Sequence, residues 1–161
     1  MIANFLRVSN EELESYLQDS SLLEVKLKAI YSDEANEEIT DLDKAWGGIL
    51  FILTGQGLKN LNHPLAKAIM GNNVIDNDQD LGEFLTPQEV KDVYQQIAAI
   101  SNDDIKAKYN PVLMTQLDVY PGPRIWKGNN GLDYILTYFD VLKKTYATAA
   151  ENNQAIITFI S

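Results

Sequence analysis

Residues 132–160, LDYILTYFDVLKKTYATAAENNQAIITFI, change period part-way. Leu132, Ile135, Leu136, Phe139, Leu142, Tyr146 and Ala149 recur at the spacing of one helical face, which predicts the longest helix of the chain. The closing run Ala155–Ile160 is continuously apolar but for Thr158, the pattern of a strand covered on both faces. At the other end, Ile2–Val8 is a second short apolar stretch that suits a strand. An isolated strand leaves its backbone groups unpaired, so the two ends are expected to lie side by side in one sheet.

Between them the sequence reads mainly as helices. Ser9-Asn10-Glu11-Glu12 is a capping box, followed by Leu13, Tyr16 and Leu17 on one face. Leu22–Tyr31 fits helix or strand, with helix favoured. Residues 32–43, SDEANEEITDLD, are acidic and mostly polar. Asp41 or Asp43 is placed to cap a helix over about Lys44–Leu53, stopped by Gly55. That helix is apolar all round and so should be buried on most sides. Gly47-Gly48 inside it costs about 1 kcal/mol of helix propensity per glycine, which points to a close-packed neighbour. Pro64 opens a short helix that Gly71 closes, and residues 72–80 read as turns. Gly82–Leu85 reads as extended. Thr86-Pro87-Gln88-Glu89 combines a capping box with proline at the first helical position, and Val90, Val93, Tyr94, Ile97 and Ala98 form the stripe behind it. Ser101 opens a further helix that stops near Asn110-Pro111, and Tyr120-Pro121-Gly122-Pro123 reads as a turn or loop. With 161 residues and no internal repeat or linker, the expected architecture is a single α+β domain over residues 1–161, with a short sheet including both terminal strands packed by several helices.

Composition narrows the function classes. There is no cysteine and one histidine, His63, so disulfides, thiolate zinc sites, a cysteine nucleophile and a multi-histidine metal site cannot be built within one chain. No transition metal, cofactor or catalytic residue is therefore assigned. Asp76, Asp78 and Asp80 alternate with Asn77 and Gln79 like a calcium loop, but Gly82 and the missing twelfth-position glutamate break that pattern. No phosphate loop, dinucleotide fingerprint, HExxH or nucleophile elbow is present. The longest apolar run falls far short of the ~20 residues of a membrane span, and the first residues lack the layout of a signal peptide, so a cytoplasmic protein is expected. The net charge is −10. Residues 1–80 carry 14 acidic and 6 basic side chains, a balance of −8, which disfavours nucleic acid and anionic membranes.

Two groups remain as candidate sites. Asp43, Lys44 and Trp46 at a helix start, with Tyr120, Arg124 and Trp126 in a proline-rich loop, are types that line pockets or form binding hot spots; the plainer reading makes the tryptophans core. Glu34, Glu37 and Glu38 lie in an acidic run that like-charge repulsion should keep exposed, a steering surface for a basic protein partner.

Leu42-Asp43-Lys44-Ala45-Trp46 through Leu53-Thr54-Gly55 resembles the LDKxW…LLTG segment of the YfbM-like proteins, a bacterial family of unknown function. Pro64–Gly71, the block Phe84-Leu85-Thr86-Pro87-Gln88-Glu89-Val90, then Val119-Tyr120-Pro121, the long helix and the last strand continue in that family's order. The resemblance implies one α+β domain without an assigned activity. It also implies that relatives carry histidines where this chain has Gly47 and Leu50, so a role resting on them would be missing here. Three functions follow as expectations: a non-enzymatic interaction protein neutralising a basic partner, as an immunity protein neutralises a toxin; a small enzyme or ligand-binding domain using the Trp46/Tyr120/Trp126 group; and a structural homo-oligomer.

Overall fold

A computed structural model describes residues 1–32, 37–76, 81–128 and 130–161. Asp33, Glu34 and the calcium-like residues Asn77, Asp78, Gln79 and Asp80 lie outside the described residues. Strand β1 (Ala3–Val8) pairs antiparallel with β5 (Ala155–Ile160) over its whole length, from Ala3 opposite Ile160 to Val8 opposite Ala155. With β2 (Ile39–Asp41), β3 (Asn73–Val74) and β4 (Glu83–Leu85) they form a five-stranded antiparallel sheet ordered β2-β1-β5-β4-β3. The two terminal strands are thus its centre.

Both faces of this sheet are covered, and the period of two sorts its side chains. Phe5, Leu85 and Ile156 point into the larger core. Helices α3 (Trp46–Thr54), α5 (Pro87–Ala98) and α9 (Gly131–Glu151) also contribute to it. Leu6, Phe84 and Ile157 point the other way, under α1 (Asn10–Gln18) and α2 (Ser21–Tyr31). Helix α4 (Lys67–Met70), α6 (Asn102–Lys108), α7 (Pro111–Gln116) and α8 (Pro123–Trp126) complete the larger side.

The local signals explain most boundaries. Ser9, Thr86 and Ser101 each accept the N3 backbone amide, with Glu12, Glu89 and Asp104 reaching back. Gly55 ends α3 in the left-handed region at φ 69, and Gly71 ends α4 at φ 77.

Three readings need correction. Neither Asp41 nor Asp43 caps α3: the helix begins at Trp46 behind Ala45 without a side-chain cap. Leu42 must reach the core, and the turn this forces gives the Asp41 carboxylate to the Asp43 amide (2.9 Å) and the Asp43 carboxylate to Tyr134. The acidic run is only partly exposed. Residues 39–41 become the edge strand β2, and Glu38 is half-buried and paired with Lys26 at 2.6 Å. Finally, Asn73–Val74 is a strand within the expected turns, and α8 occupies a segment read as loop, while Pro111, the expected stop of the Ser101 helix, opens α7; Pro111 and Pro123 each start a helix at its first turn.

Because β5 joins β1 to β4, removing residues 155–161 should abolish cooperative folding rather than trim an edge. Circular dichroism melting is expected to show a broad, non-cooperative transition or insoluble protein; a truncated chain melting cooperatively would contradict the central placement.

Candidate functional site

Of the six residues of the proline-rich site, Trp46, Tyr120 and Trp126 pack as an aromatic wedge around Gly47-Gly48, and Asp43, Lys44 and Arg124 lie towards its rim. Trp46 opens α3 and stacks on Tyr120, ring centroids 4.9 Å apart and 21° between planes. Gly47 makes this possible: a Cβ there would lie 2.3 Å from the Tyr120 carbonyl oxygen. Gly48 does the same for the second tryptophan, since its Cβ would meet the Trp126 ring at 2.6 Å and Ile135 at 2.8 Å. The glycine pair therefore makes room for the Tyr120 backbone at Gly47 and for the Trp126 ring at Gly48, the close-packed neighbours that its helix cost suggested. Trp126 is fully buried, and its indole N–H donates to the Val119 carbonyl at 2.8 Å.

The polar ends of the wedge are satisfied within the chain. The Met1 carbonyl accepts from the Tyr120 hydroxyl (3.0 Å) and from the Trp46 indole (3.3 Å), while the N-terminal ammonium donates to the Tyr120 oxygen (2.9 Å). Trp46 and Trp126 fill space instead of enclosing it. Gly47 and Leu50, where the resemblance places histidines in relatives, are both buried here, and the slot at Gly47 has no room for an imidazole.

The remaining three residues sit at the rim. Asp43 adopts φ 44 and accepts the Tyr134 hydroxyl proton at 2.7 Å, and the Lys44 amide donates to the same tyrosine oxygen at 3.1 Å. Burial, then the bond to Asp43, pushes the Tyr134 pKa far above its ordinary value of 10.0. Tyr138 meets Tyr134 edge-on at 5.1 Å; burial and then the Asp43 and Asp41 charges raise its pKa too. Arg124 is exposed on α8 and borders a hollow of about 310 Å³ with Ile125, Gly131 and Tyr134. Tyr134 was not legible as a site residue, because it lies off the apolar stripe of α9 and 91 residues from Asp43. Lys44 is exposed, and its side chain takes no part in the wedge's hydrogen bonds.

The acidic candidates lie elsewhere. Glu37 is exposed beside β2, its backbone carbonyl accepting from Arg7. Glu38 shares Lys26 with Glu12, at 2.6 and 3.5 Å. Among the described residues, no three His, Cys, Asp or Glu side chains gather as a metal-holding group, and no helix is long and apolar enough to cross a membrane.

The family model described as a domain of unknown function (DUF1877) matches residues 1–159. The chain belongs to this family. Its structure superposes on the crystal structure of YfbM, a protein of unknown function from Escherichia coli, with a TM-score of 0.75 over 98% of each chain. Sequence identity in that pair is 18%, so the likeness establishes the shared fold alone. No curated protein matches this sequence.

Two outcomes follow from this geometry. Gly47→Ala and Gly48→Ala should each destabilise by about 1–3 kcal/mol or more, read by thermal melting, since backbone or packed rings must move. The tyrosines give a pH signature. The Tyr146 pKa is likewise raised by burial, its hydroxyl donating to the Ala68 carbonyl at 2.9 Å. Folded Tyr134 and Tyr146 keep their protons while unfolded tyrosines ionise near 10.0. Their contribution is complete below that pH and is lost as pH rises above it. Ultraviolet titration should show part of the tyrosinate signal appearing only together with unfolding.

Proposed function

We propose that this protein is a non-enzymatic interaction protein that engages a basic protein partner through the acidic face formed by α1, Asp19 and the approach to β2. The observation supporting this is the distribution of counter-charges. Lys26 is engaged by Glu12 and Glu38, Lys28 pairs with Glu24 at 3.8 Å, and Arg7 is turned onto the Glu37 carbonyl. The carboxylates of Glu11, Glu14, Asp19 and Glu37 are on exposed residues and form no ion pair with lysine or arginine among the described residues. Acidic groups left in excess on one face act at a distance and steer an oppositely charged surface into contact.

The reading in which a small ligand sits against the Trp46/Tyr120/Trp126 group is less well supported, because those rings are spent on the core and on Met1. A small-molecule site would instead use the hollow between Arg124 and Tyr134.

Charge reversal at Glu11, Glu14 and Glu37 tests the proposal. Glu38 is left unchanged because its pair with Lys26 ties α2 to β2. The triple variant should melt as the parent does. Affinity capture from native lysate should yield basic proteins that elute between about 50 and about 500 mM salt, and the variant should lose them, chiefly through slower association. A captured set indifferent to both salt and charge reversal would refute the reading.

A further inference from the structure

A second surface carries the opposite charge. From Lys44 to Ile75 the sequence holds Lys44, Lys59, His63 and Lys67 but no aspartate or glutamate, although the chain has 23 acidic residues in 161. From Ile105 to Leu117 it holds Lys106 and Lys108 and again no acid. The fold brings these two stretches face to face. A hollow of about 420 Å³ lies between the end of α3 and His63 on one side and Lys108, Tyr109 and Leu113 on the other. It shares Gly55 with a neighbouring hollow of about 310 Å³, where Gln56 and Lys59 face Gln116 and Leu117. On the far side of His63 a third hollow, of about 420 Å³, reaches Lys67. No carboxylate side chain lines any of the three.

The walls are held in place. The Gln56 side-chain amide donates to Asn62 at 2.7 Å, and the Asn62 backbone amide returns to Gln56 at 3.0 Å. Gly57 lets the loop settle on α7, for a Cβ there would be 2.6 Å from the Leu117 carbonyl. His63 Nδ1 accepts the Leu65 amide at 3.1 Å, so Nε2 is the nitrogen left to donate. Apolar side chains accompany the cations: Leu58 is 46% and Val112 64% exposed, while Leu113 and Leu117 are half-buried. Of the nearby acids, Asp103 is paired to Lys106 at 3.6 Å and Asp104 is bonded to Ser101, while Asp118, next to Leu117, is exposed and lines none of the three hollows.

We propose that this furrow docks an extended acidic segment of a partner protein. Its lysines match carboxylates by charge, in a molecule that otherwise repels them. A free inorganic anion fits less well, because α3 ends in the first hollow and the last carbonyls of a helix lack internal donors and favour N–H groups. An extended peptide presents amide donors, carboxylates and apolar side chains together. This surface is separate from the acidic face assigned above, and either assignment can fail without the other.

The test uses the full chain and a fluorescein-labelled peptide of Glu-Glu-Leu repeats, about twelve residues long. Binding with a Kd of about 10–100 µM is expected, weakened about tenfold by the double substitution Lys59→Glu and Lys108→Glu and unchanged by Lys127→Glu. Amide NMR shifts should cluster on residues 52–63 and 107–117, which locates the site independently of any variant. Four results would each overturn the proposal: no binding, shifts located elsewhere, equal binding of tripolyphosphate or a single-stranded oligonucleotide, or an effect of the double variant confined to self-association in sedimentation.

Discussion

The rest of the molecule is arranged around a helix with no solvent-facing side. Trp46 through Leu53 are all buried, so every direction around α3 has to be filled by another part of the chain. Phe5 of the sheet belongs to the same core, and α8 and α9 reach the helix at Gly48 through Trp126 and Ile135. Two of those approaches are closer than any side chain allows, which is why glycine stands at 47 and 48 in spite of its helical cost. Trp46 then becomes the point where the helix, the turn around Tyr120 and the first residue of the chain are joined by stacking and by hydrogen bonds to Met1. Polar aromatic atoms that would suit a ligand are consumed in closing the fold.

This moves function to the surface, where charge is separated. Acidic side chains concentrate on α1, Asp19 and the approach to β2, while two acid-free stretches meet in the furrow around His63. The separation is a consequence of topology. The α1–α2 pair covers one sheet face, and the segments after α3 and around α6–α7 lie on the other, larger side. A chain with a net charge of −10 thereby offers oppositely charged surfaces to different partners.

The chain and YfbM share this architecture at 18% identity over 98% of both chains. Such divergence is compatible with one fold because volume and patterning constrain a core more than residue identity does.

The sequence alone determined the elements whose signals are local: the capping boxes at Ser9 and Thr86, the stop at Gly55, the period of α9 and the two apolar end strands. Each depends on residues a few positions apart, or on a stripe whose period is fixed by backbone geometry. The pairing of β1 with β5 was also within reach, since two apolar strands in one small domain have few other partners. Only the tertiary structure decided what Asp43 and Glu38 do. An aspartate before an apolar helix reads as a cap, but Tyr134, 91 residues away, takes its carboxylate; a glutamate in an acidic run reads as solvated, but Lys26 draws it into an ion pair with α2. It alone decided too that Trp46 and Trp126 are core, and that two stretches without acids face each other across one furrow. Contacts between distant segments depend on how the elements pack, and no local spacing records them.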